Sequence, residues 1–269
     1  MLKSNTTEQI STLPSQRVVV FDLDETLGHF HLIRLIWESI HKFIKYNDIP
    51  YMMNQTDFND LFDVFPKMLR PEVLSILEFL NEERERGACS GVMVYTNNKY
   101  PKEWVYLIIN YIEYKIGYKI FDNIVLAFKM NGRVQQMGRT SKDKKITDFV
   151  ACCRLPQNVE ICYFDNSEYS GMVATNVYYL KVRAYYHPFT KAAIIQCVSS
   201  YPVWKRVICA AHHRHIQMFI QFFIKNLQIE GYQFAEKTFL DYEMDKVTST
   251  RIRTHLTDFF KQVYIISGK

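Results

Sequence analysis

The sequence predicts an α/β protein with a doubly wound, mostly parallel sheet. Three runs of β-branched and aromatic residues, 18–21, 91–95 and 160–164, lack polar alternation, as strands buried on both faces do. Segments with the apolar spacing of helices separate the runs, and strands that alternate with helices are typical of parallel sheets. Each run ends in polar residues, and such sheets bind ligands at the carboxyl ends of their strands. We therefore expect a site at these three strand ends.

Length and composition limit the class of protein. At 269 residues the chain has room for one large domain, or for one domain with a helical appendage. Hydrophobic residues make up 48% of it, which excludes a disordered protein. The net charge of +5 comes from scattered residues, and no apolar stretch is long enough to span a bilayer, so neither nucleic acid nor membrane is an expected partner. The six cysteines form no Cys-x-x-Cys pair and no secretory signal is present, which predicts an intracellular protein, cytoplasmic or nuclear.

Three regions are predicted along the chain. Residues 1–16 are polar and rich in Ser and Thr, which indicates a flexible leader. Residues 17–187 carry the strands and form the main domain. Within it, 28–69 has the apolar spacing of two or three helices and predicts a small helical insertion. Residues 188–269 predict a helical C-terminal extension, with helices at 192–201, 204–228 and 249–264.

Local signals predict the other elements of the main domain. Pro71 suits the first turn of a helix that leads into the second strand. The pair Asn131-Gly132 is a strong tight-turn signal and predicts a hairpin with strands over 123–128 and 133–136. Apolar patterns add a crossover helix over 101–116, a helix over 146–154 and a last strand over 177–182.

Two acidic residues follow the first strand directly. Asp22 and Asp24 are spaced two apart, so in a strand both side chains lean to the same side. Two carboxylates so close repel each other unless a cation, a proton or a substrate group lies between them. Hard oxygen ligands at a strand end indicate Mg²⁺. The alternative for Asp-x-Asp alone is a turn or a helix N-cap.

The decapeptide 18–27 resembles the first motif of the haloacid dehalogenase-like phosphatases. Its form Asp-Leu-Asp-Glu-Thr-Leu is most similar to the branch that contains the RNA polymerase II C-terminal-domain phosphatases and the NLI-interacting-factor-like proteins. Arg70-Pro71 and Asp165-Asn166-Ser167 are similar to further motifs of this branch, although Glu168 stands where a proline often follows. The resemblance covers about residues 17–187 and implies a Rossmann-like domain with phosphatase activity.

The resemblance also implies roles for individual residues. Asp22 is the expected nucleophile, which forms an aspartyl-phosphate, and Asp24 is the expected general acid and base. Thr96 supplies a hydroxyl to the phosphoryl group. Asp165 helps to hold Mg²⁺ together with Asp22 and the main-chain carbonyl of Asp24. A lysine just before the helix that precedes the third strand neutralises charge, and placement favours Lys144.

Some assignments stay open at this point. Lys142 and Lys145 are the other candidates for the motif lysine, and most lysine clusters are simply solvated. Thr96 is also a plausible N-cap for the next helix, and Asn97 is a candidate for substrate binding or for the same capping role. The cluster of Cys209 with His212, His213 and His215 is compatible with zinc, but its helical pattern favours a partly exposed histidine cluster.

The sequence therefore predicts a Mg²⁺-dependent phosphomonoester hydrolase. The insertion at 28–69 is too short for a separate cap domain, so the site is expected to stay open to a phosphoserine or phosphothreonine on a protein or peptide, with Phe30 and Tyr100 at its rim. Two alternatives remain: a binding protein that keeps the fold without turnover, and a nucleic-acid 3′-phosphatase. The natural substrate and the oligomeric state do not follow from the sequence.

Overall fold

A five-stranded, all-parallel sheet with helices on both faces forms the centre of the molecule, which confirms the predicted α/β fold. The computed structural model describes residues 16–207, 213–234 and 236–266, so the predicted leader lies outside the described residues except for Gln16. The strands of the sheet are β1 (Arg17–Phe21), β2 (Gly91–Tyr95), β3 (Phe121–Val125), β6 (Glu160–Asp165) and β7 (Val177–Lys181). Their order is β3-β2-β1-β6-β7. A small antiparallel hairpin pairs β4 (Lys129–Met130) with β5 (Arg133–Val134).

Helices lie between the strands and after the last one. The helices of the insertion and main domain are α1 (His31–Tyr46), α2 (Gln55–Asp63), α3 (Val73–Glu85), α4 (Lys102–Ile116) and α5 (Ile146–Cys153), with a 3-10 turn at Pro66–Met68 and another at Ser170–Met172. The C-terminal helices are α6 (Lys191–Ser200), α7 (Val203–Val207), α8 (His213–Ile229) and α9 (Phe239–Ile266). Within the described ranges, no helix combines the length and the apolar character needed to cross a bilayer.

Strand β1 is central because its residues are apolar on both sides. Val18 and Val20 belong to one buried cluster, whereas Val19 and Phe21 belong to the other. This alternation follows from the two-residue period of a strand, which sends successive side chains to opposite faces of the sheet. Both faces are therefore covered, as the run without polar residues predicts.

The two faces of the sheet are covered unequally. The face that carries Val18 packs against α5, the short helix between β5 and β6. The other face shares a single core with α1 to α4 and with residues of α6 to α9. Helix α9 contacts α3, β6 and β7, and α8 contacts α1. The C-terminal helices thus lie against the insertion helices and the flank of the sheet.

The predicted hairpin over 123–128 and 133–136 is wrong in its first strand. Residues Phe121–Val125 form β3, which pairs in parallel with β2 at the edge of the sheet, and the hairpin is limited to β4 and β5. The Asn131-Gly132 turn itself is confirmed, since both residues have positive φ, 48° and 78°. The edge strand was missed because its exposed Asp122 and Asn123 interrupt the apolar pattern.

Three predicted helix ends also differ. Pro71 precedes Glu72, which has φ 61°, so α3 begins at Val73 and Pro71 lies outside its first turn. Helix α9 begins ten residues before the predicted start at 249. A reciprocal pair of hydrogen bonds caps this start, since Thr238 N donates to Asp241 Oδ2 at 3.0 Å and Asp241 N donates to Thr238 Oγ1 at 3.2 Å. The predicted helix over 204–228 corresponds to α7 and α8, and residues 208–212 between them lie outside the described ranges.

Candidate active site

The predicted site residues meet at the carboxyl end of the sheet. Asp22 follows β1, Thr96 follows β2, and Asp165 ends β6, so three neighbouring strands each bring one side chain to the same edge. A cavity of about 270 Å³ lies there, lined by residues of the segments 22–25, 96–98 and 165–169. The strand order reverses between β1 and β6, because the chain continues from β1 to β2 on one side and from β6 to β7 on the other. Such a switch point is the usual ligand site of a doubly wound sheet.

Lys144 joins two of the strand ends. Its Nζ donates to Asp22 Oδ1 and to Asp165 Oδ2, each at 2.6 Å, and its side chain is 1% exposed. The placement before α5 therefore brings Lys144, and not its neighbours, to the carboxylates. Lys145 is the N-cap residue of α5 with its Nζ 3.4 Å from Thr140 Oγ1, and Lys142 is exposed.

Three tyrosine rings surround the ammonium group of Lys144. The ring centroids of Tyr95, Tyr163 and Tyr169 lie 5.6, 5.9 and 5.2 Å from Nζ, within the range of cation–π attraction. The hydroxyl of Tyr163 also donates to Asp165 Oδ2. Burial opposes the charged form of Lys144, but Asp22 and Asp165 outweigh it and raise the pKa of the lysine. The two carboxylates keep the buried Lys144 charged, and the three rings surround its ammonium group.

Asp22 is fixed by main-chain and side-chain contacts. Its N–H donates to Phe164 O at 2.8 Å, which continues the pairing of β1 with β6 by one residue. Thr26 Oγ1 donates to Asp22 Oδ2 at 3.3 Å and accepts from Asn166 N at 3.1 Å. Burial raises the pKa of Asp22, Lys144 acts in the opposite direction, and Asp165 adds to the rise. Asp22 thus keeps its geometry in a site where its negative charge is costly.

Asp24 lies at the cavity beside Asn98. The amide Nδ2 of Asn98 donates to Asp24 Oδ2 at 2.7 Å. Burial raises the pKa of Asp24, and this hydrogen bond and Lys144 lower it by less. A raised pKa favours the protonated carboxyl group, which is the form that a general acid needs.

Arg70 holds the loop that carries Asp24. Its Nε donates to Thr26 O at 2.6 Å, and its Nη2 donates to Glu25 O and to Arg183 O, both at 2.7 Å. Gly28 closes the same loop, since a Cβ at this position would lie 2.5 Å from Met68 O. The arginine of the Arg-Pro pair therefore fixes the position of the acid without lining the cavity.

Thr96 and Asn97 follow β2 and both line the cavity. The N-cap alternative for Thr96 is wrong, because the N-cap residue of α4 is Pro101 and Thr96 Oγ1 accepts from Asn98 N at 3.0 Å. Asn97 is already engaged on both sides of its amide, since Nδ2 donates to Tyr169 OH at 3.0 Å and Oδ1 accepts from Arg139 at 2.8 Å.

Sequence reasoning missed several residues that complete the site. Arg139 is 4% exposed and donates to Leu126 O at 2.8 Å and to Thr96 O at 3.2 Å, which ties the loop after β2 to the segment before α5. Tyr95 and Tyr163 lie in strands on the face covered by α5, which is the face from which Lys144 arrives. Their two-residue periodicity puts them on that face, but no local sequence pattern indicates a lysine close to both rings.

The donors at the cavity fit Mg²⁺ by their chemistry. Asp22, Asp24 and Asp165 bring hard carboxylate oxygens, which this cation prefers. Within residues 16–207, 213–234 and 236–266, no group of three or more His, Cys, Asp or Glu side chains is arranged as a set of metal ligands. Sites that handle phosphate typically bind Mg²⁺ through one or two carboxylates with water and substrate oxygens, so a preformed cage is not required. The oxygen donors of these three residues therefore suit Mg²⁺ by their chemistry alone.

The cavity opens to solvent, because the exposed residues Glu25 and Ser167 line it. The described part of the C-terminal extension contributes no lining residue, so α6 to α9 do not cover Asp22. Phe30 is 2% exposed, so the rim contact predicted for it is wrong, whereas Tyr100 is 38% exposed. Of the cysteine and histidine cluster near the start of α8, Cys209 and His212 lie outside the described residues.

Comparison of the chain with protein-family models, with curated proteins and with solved structures found no match. Membership of the family that the sequence motifs resemble therefore stays a prediction.

Proposed function

We propose that the chain is a Mg²⁺-dependent phosphomonoester hydrolase of the haloacid dehalogenase-like kind, with Asp22 as its nucleophile. The observation that carries this proposal is the double contact of Lys144 Nζ with Asp22 Oδ1 and Asp165 Oδ2, at 2.6 Å each. Three distant segments supply these groups, each in the position that its motif implies. A buried lysine in this position orients the Asp22 carboxylate and supplies positive charge beside it.

The reaction has two steps. A carboxylate oxygen of Asp22 forms a bond to phosphorus while the bond from phosphorus to the ester oxygen breaks, and the Asp24 carboxyl group gives its proton to that leaving oxygen. The products of this step are an aspartyl-phosphate and a free alcohol. Water then attacks phosphorus and gives its proton to Asp24, and the bond between phosphorus and Asp22 breaks. Inorganic phosphate leaves, and both carboxyl groups are restored.

The surrounding groups support these roles. Burial raises the pKa of Asp24 and so favours the acid form that the first step uses. Thr96 and Lys144 stabilise negative charge on the phosphoryl oxygens. Asp22, Asp165 and the main-chain carbonyl of Asp24 would hold Mg²⁺, which screens the negative phosphate from the carboxylates when bound.

The substrate class follows from access to the cavity. Its lining includes exposed residues, and the described C-terminal helices leave it open. The insertion helices α1 and α2 share the core beneath the sheet instead of forming a separate cap. An open site of this kind suits a phosphoserine or phosphothreonine on a protein or peptide better than a small metabolite, which an enzyme usually encloses.

Two other functions compete with this proposal. A binding protein without turnover has no need for an acid beside Asp22, and the contact of Asn98 with Asp24 at 2.7 Å argues that Asp24 has a defined position. A nucleic-acid 3′-phosphatase uses a basic groove with aromatic stacking platforms. The catalytic cavity has no arginine or lysine among its described lining residues and a single aromatic one, Tyr169, so it does not have this character.

The test is turnover of a phosphoserine peptide, a 3′-phosphorylated oligonucleotide and p-nitrophenyl phosphate, each with Mg²⁺ and with EDTA. Wild-type protein is expected to hydrolyse the peptide and p-nitrophenyl phosphate only with Mg²⁺. Asp22→Asn should abolish turnover and keep the fold, since it removes the nucleophilic charge at nearly constant size. Asp143→Asn is the matched control, because Asp143 is an exposed residue near the same site.

Three outcomes would contradict the proposal. Near wild-type turnover by Asp22→Asn would exclude the covalent mechanism. Fast hydrolysis of the oligonucleotide alone would favour the 3′-phosphatase. Binding of the phosphopeptide with no turnover under any condition would favour the binding protein.

A further inference from the structure

A second cavity, of about 340 Å³, lies beside the catalytic one and shares Asp24 and Asn98 with it. The start of α1 and the segment after β2 supply its other lining residues, which are Phe30, His31, Arg34, Lys99, Tyr100 and Trp104. In the proposed reaction Asp24 protonates the leaving oxygen. The rest of the leaving group must therefore extend past Asp24, and this cavity is on that side.

Asn98 connects the two cavities through hydrogen bonds. Its Nδ2 donates to Asp24 Oδ2 at 2.7 Å, and its Oδ1 accepts from Tyr100 N at 2.9 Å. Its main-chain N donates to Thr96 Oγ1 at 3.0 Å. The side chain of Asn98 thus fixes the positions of both Asp24 and Tyr100. A group bound in the second cavity therefore has a fixed position relative to the oxygen that Asp24 protonates.

Arg34 is a buried residue of this cavity with an unpaired hydrogen-bond donor. It is 7% exposed, its guanidinium lies 4.2 Å from the ring centroid of Tyr100, and its Nη1 donates to Glu38 Oε2 at 2.7 Å. Its Nε is buried and has no hydrogen-bond partner among the described residues. A guanidinium with an unpaired donor is costly to bury, and an anion in the cavity that Arg34 lines stabilises its positive charge.

The charges around the second cavity favour an anion. Arg34 and the exposed Lys99 line it, and Asp24 is the one acid among its lining residues. Burial and the charge of Arg34 lower the pKa of His31, so this residue is a neutral hydrogen-bonding group at pH 7. Two acids outside the lining also act here, since Glu38 already binds Arg34 and Glu230 raises the pKa of His31 by less than burial lowers it.

A nucleobase is a poorer fit than an acidic side chain. Phe30 and Trp104 are buried, and the guanidinium of Arg34 covers the ring of Tyr100, so these three rings do not form a stacking platform. A carboxylate or phosphate, in contrast, matches the geometry of a guanidinium and the charge of a nearby lysine.

We infer that the cavity of Arg34, Lys99 and Tyr100 is a subsite for a second anionic group on the leaving side of the substrate. The class of substrate is a phosphopeptide with a carboxylate or a second phosphate within a few residues of the phosphorylated one. This inference rests on the proposed function, because the phosphatase reaction is what places the leaving group there.

The test compares phosphoserine peptides that carry Glu at one of the three positions before or after the phosphoserine. Peptides with Gln at the same position are the matched control. A second set carries an additional phosphoserine in place of Glu, and a 3′-phosphorylated oligonucleotide represents the other polyanion. The measured quantity is the ratio of kcat/KM for the acidic peptide to that for its neutral partner in one preparation. This ratio is independent of the fraction of protein that is folded.

We expect a ratio of about 10 or more in wild-type protein for at least one position of Glu, since one charge-assisted hydrogen bond contributes about a factor of ten. Arg34→Gln should bring the ratio close to 1, and Lys99→Ala should lower it by about two- to fivefold. Lys102→Ala is the control, because Lys102 is exposed at the start of α4 and does not line the cavity.

A second measurement separates the two proposals. Binding of the same peptides to Asp22→Asn is measured by fluorescence polarisation, which needs no turnover. When Arg34→Gln is added to Asp22→Asn, a selective loss of acidic-peptide binding supports the subsite even if wild-type protein has no activity. Absent activity then counts against the proposed function alone. Equal values for Glu and Gln peptides in both measurements would overturn the subsite. A strong preference for the oligonucleotide, lost in Arg34→Gln, would overturn the choice of a peptide.

Discussion

Replacing the buried lysine tests the site most directly. Lys144→Met keeps most of the side-chain length and removes the ammonium group, so Asp22 and Asp165 lose the cation to which both bind at 2.6 Å. Breaking a buried ion pair by removal of one partner costs about 3 to 5 kcal/mol, because it leaves an uncompensated charge. We therefore expect a large loss in the free energy of unfolding of the Mg²⁺-free protein.

The pH dependence of that loss identifies its origin. An unpaired buried carboxyl group escapes the cost by binding a proton. This limits the loss for each carboxyl group to about 4 kcal/mol at pH 7 and about 2 kcal/mol at pH 5.5, from the distance between the pH and an unperturbed pKa near 3.9. Asp22 loses less than this limit, because its pKa is already raised in the wild-type site. The sign follows because the folded pKa is raised. The destabilisation is fully expressed above that pKa, and it declines as the pH falls toward the value of the unfolded chain.

The assay is urea unfolding at both pH values in EDTA, together with turnover in Mg²⁺. Turnover should fall by about two to three orders of magnitude, as for loss of one charge-stabilising donor. Lys142→Met is the control, because Lys142 is exposed and has no contact with the carboxylates. Equal stability of the two variants would refute the ion-pair argument, and a loss independent of pH would assign the effect to packing. A destabilised variant with normal turnover would refute the catalytic role.

Three further predictions concern the same molecule. Asp24→Asn should lose about two to four orders of magnitude in turnover of a phosphoserine peptide and much less with p-nitrophenyl phosphate, whose leaving oxygen is a weak base; equal losses would argue against a general acid. Tyr163→Phe removes the hydroxyl that donates to Asp165 and should lower the free energy of unfolding by about 1 to 3 kcal/mol. An unchanged free energy of unfolding would show that this hydrogen bond does not stabilise the fold. Burial lowers the pKa of both His29 and His187 to about 4, so the unfolded chain binds protons first and the fold loses stability as the pH falls from about 6.5 toward 4. In His29→Gln this loss should be shallower by up to about 1.4 kcal/mol per pH unit, and an unchanged slope in urea titrations would contradict it.

The sequence predicted the sheet well where strands are buried on both faces. Strands β1, β2 and β6 have uninterrupted apolar interiors, and their bounds lie within one residue of the predicted runs. Strand β3 was missed because an edge strand tolerates exposed polar residues. Asp122 stabilises this edge of the sheet, since its carboxylate accepts from Val92 N at 2.8 Å and from Arg84 Nη2 at 2.6 Å.

The candidate site was predictable to the extent that its residues follow strands. Asp22, Thr96 and Asp165 follow predicted strands, and the family resemblance implied their roles and a lysine before the next helix, where placement favoured Lys144. The network around them depends on contacts between distant segments, which local patterns do not encode. Arg139 illustrates this, since it lies in a polar stretch and yet is 4% exposed, with its donors directed at main-chain oxygens of other segments.

The central position of β1 has a consequence for synthesis of the protein. Lys144 follows Asp22 by 122 residues, and β6, the second neighbour of β1, lies beyond it. At about 5 to 20 residues per second, a ribosome needs about 6 to 24 s to add those 122 residues. During that interval β1 can pair with β2, but its other edge has no partner, and an open apolar edge invites pairing with a second nascent chain. A chaperone that binds extended apolar segments would act on this protein at that stage.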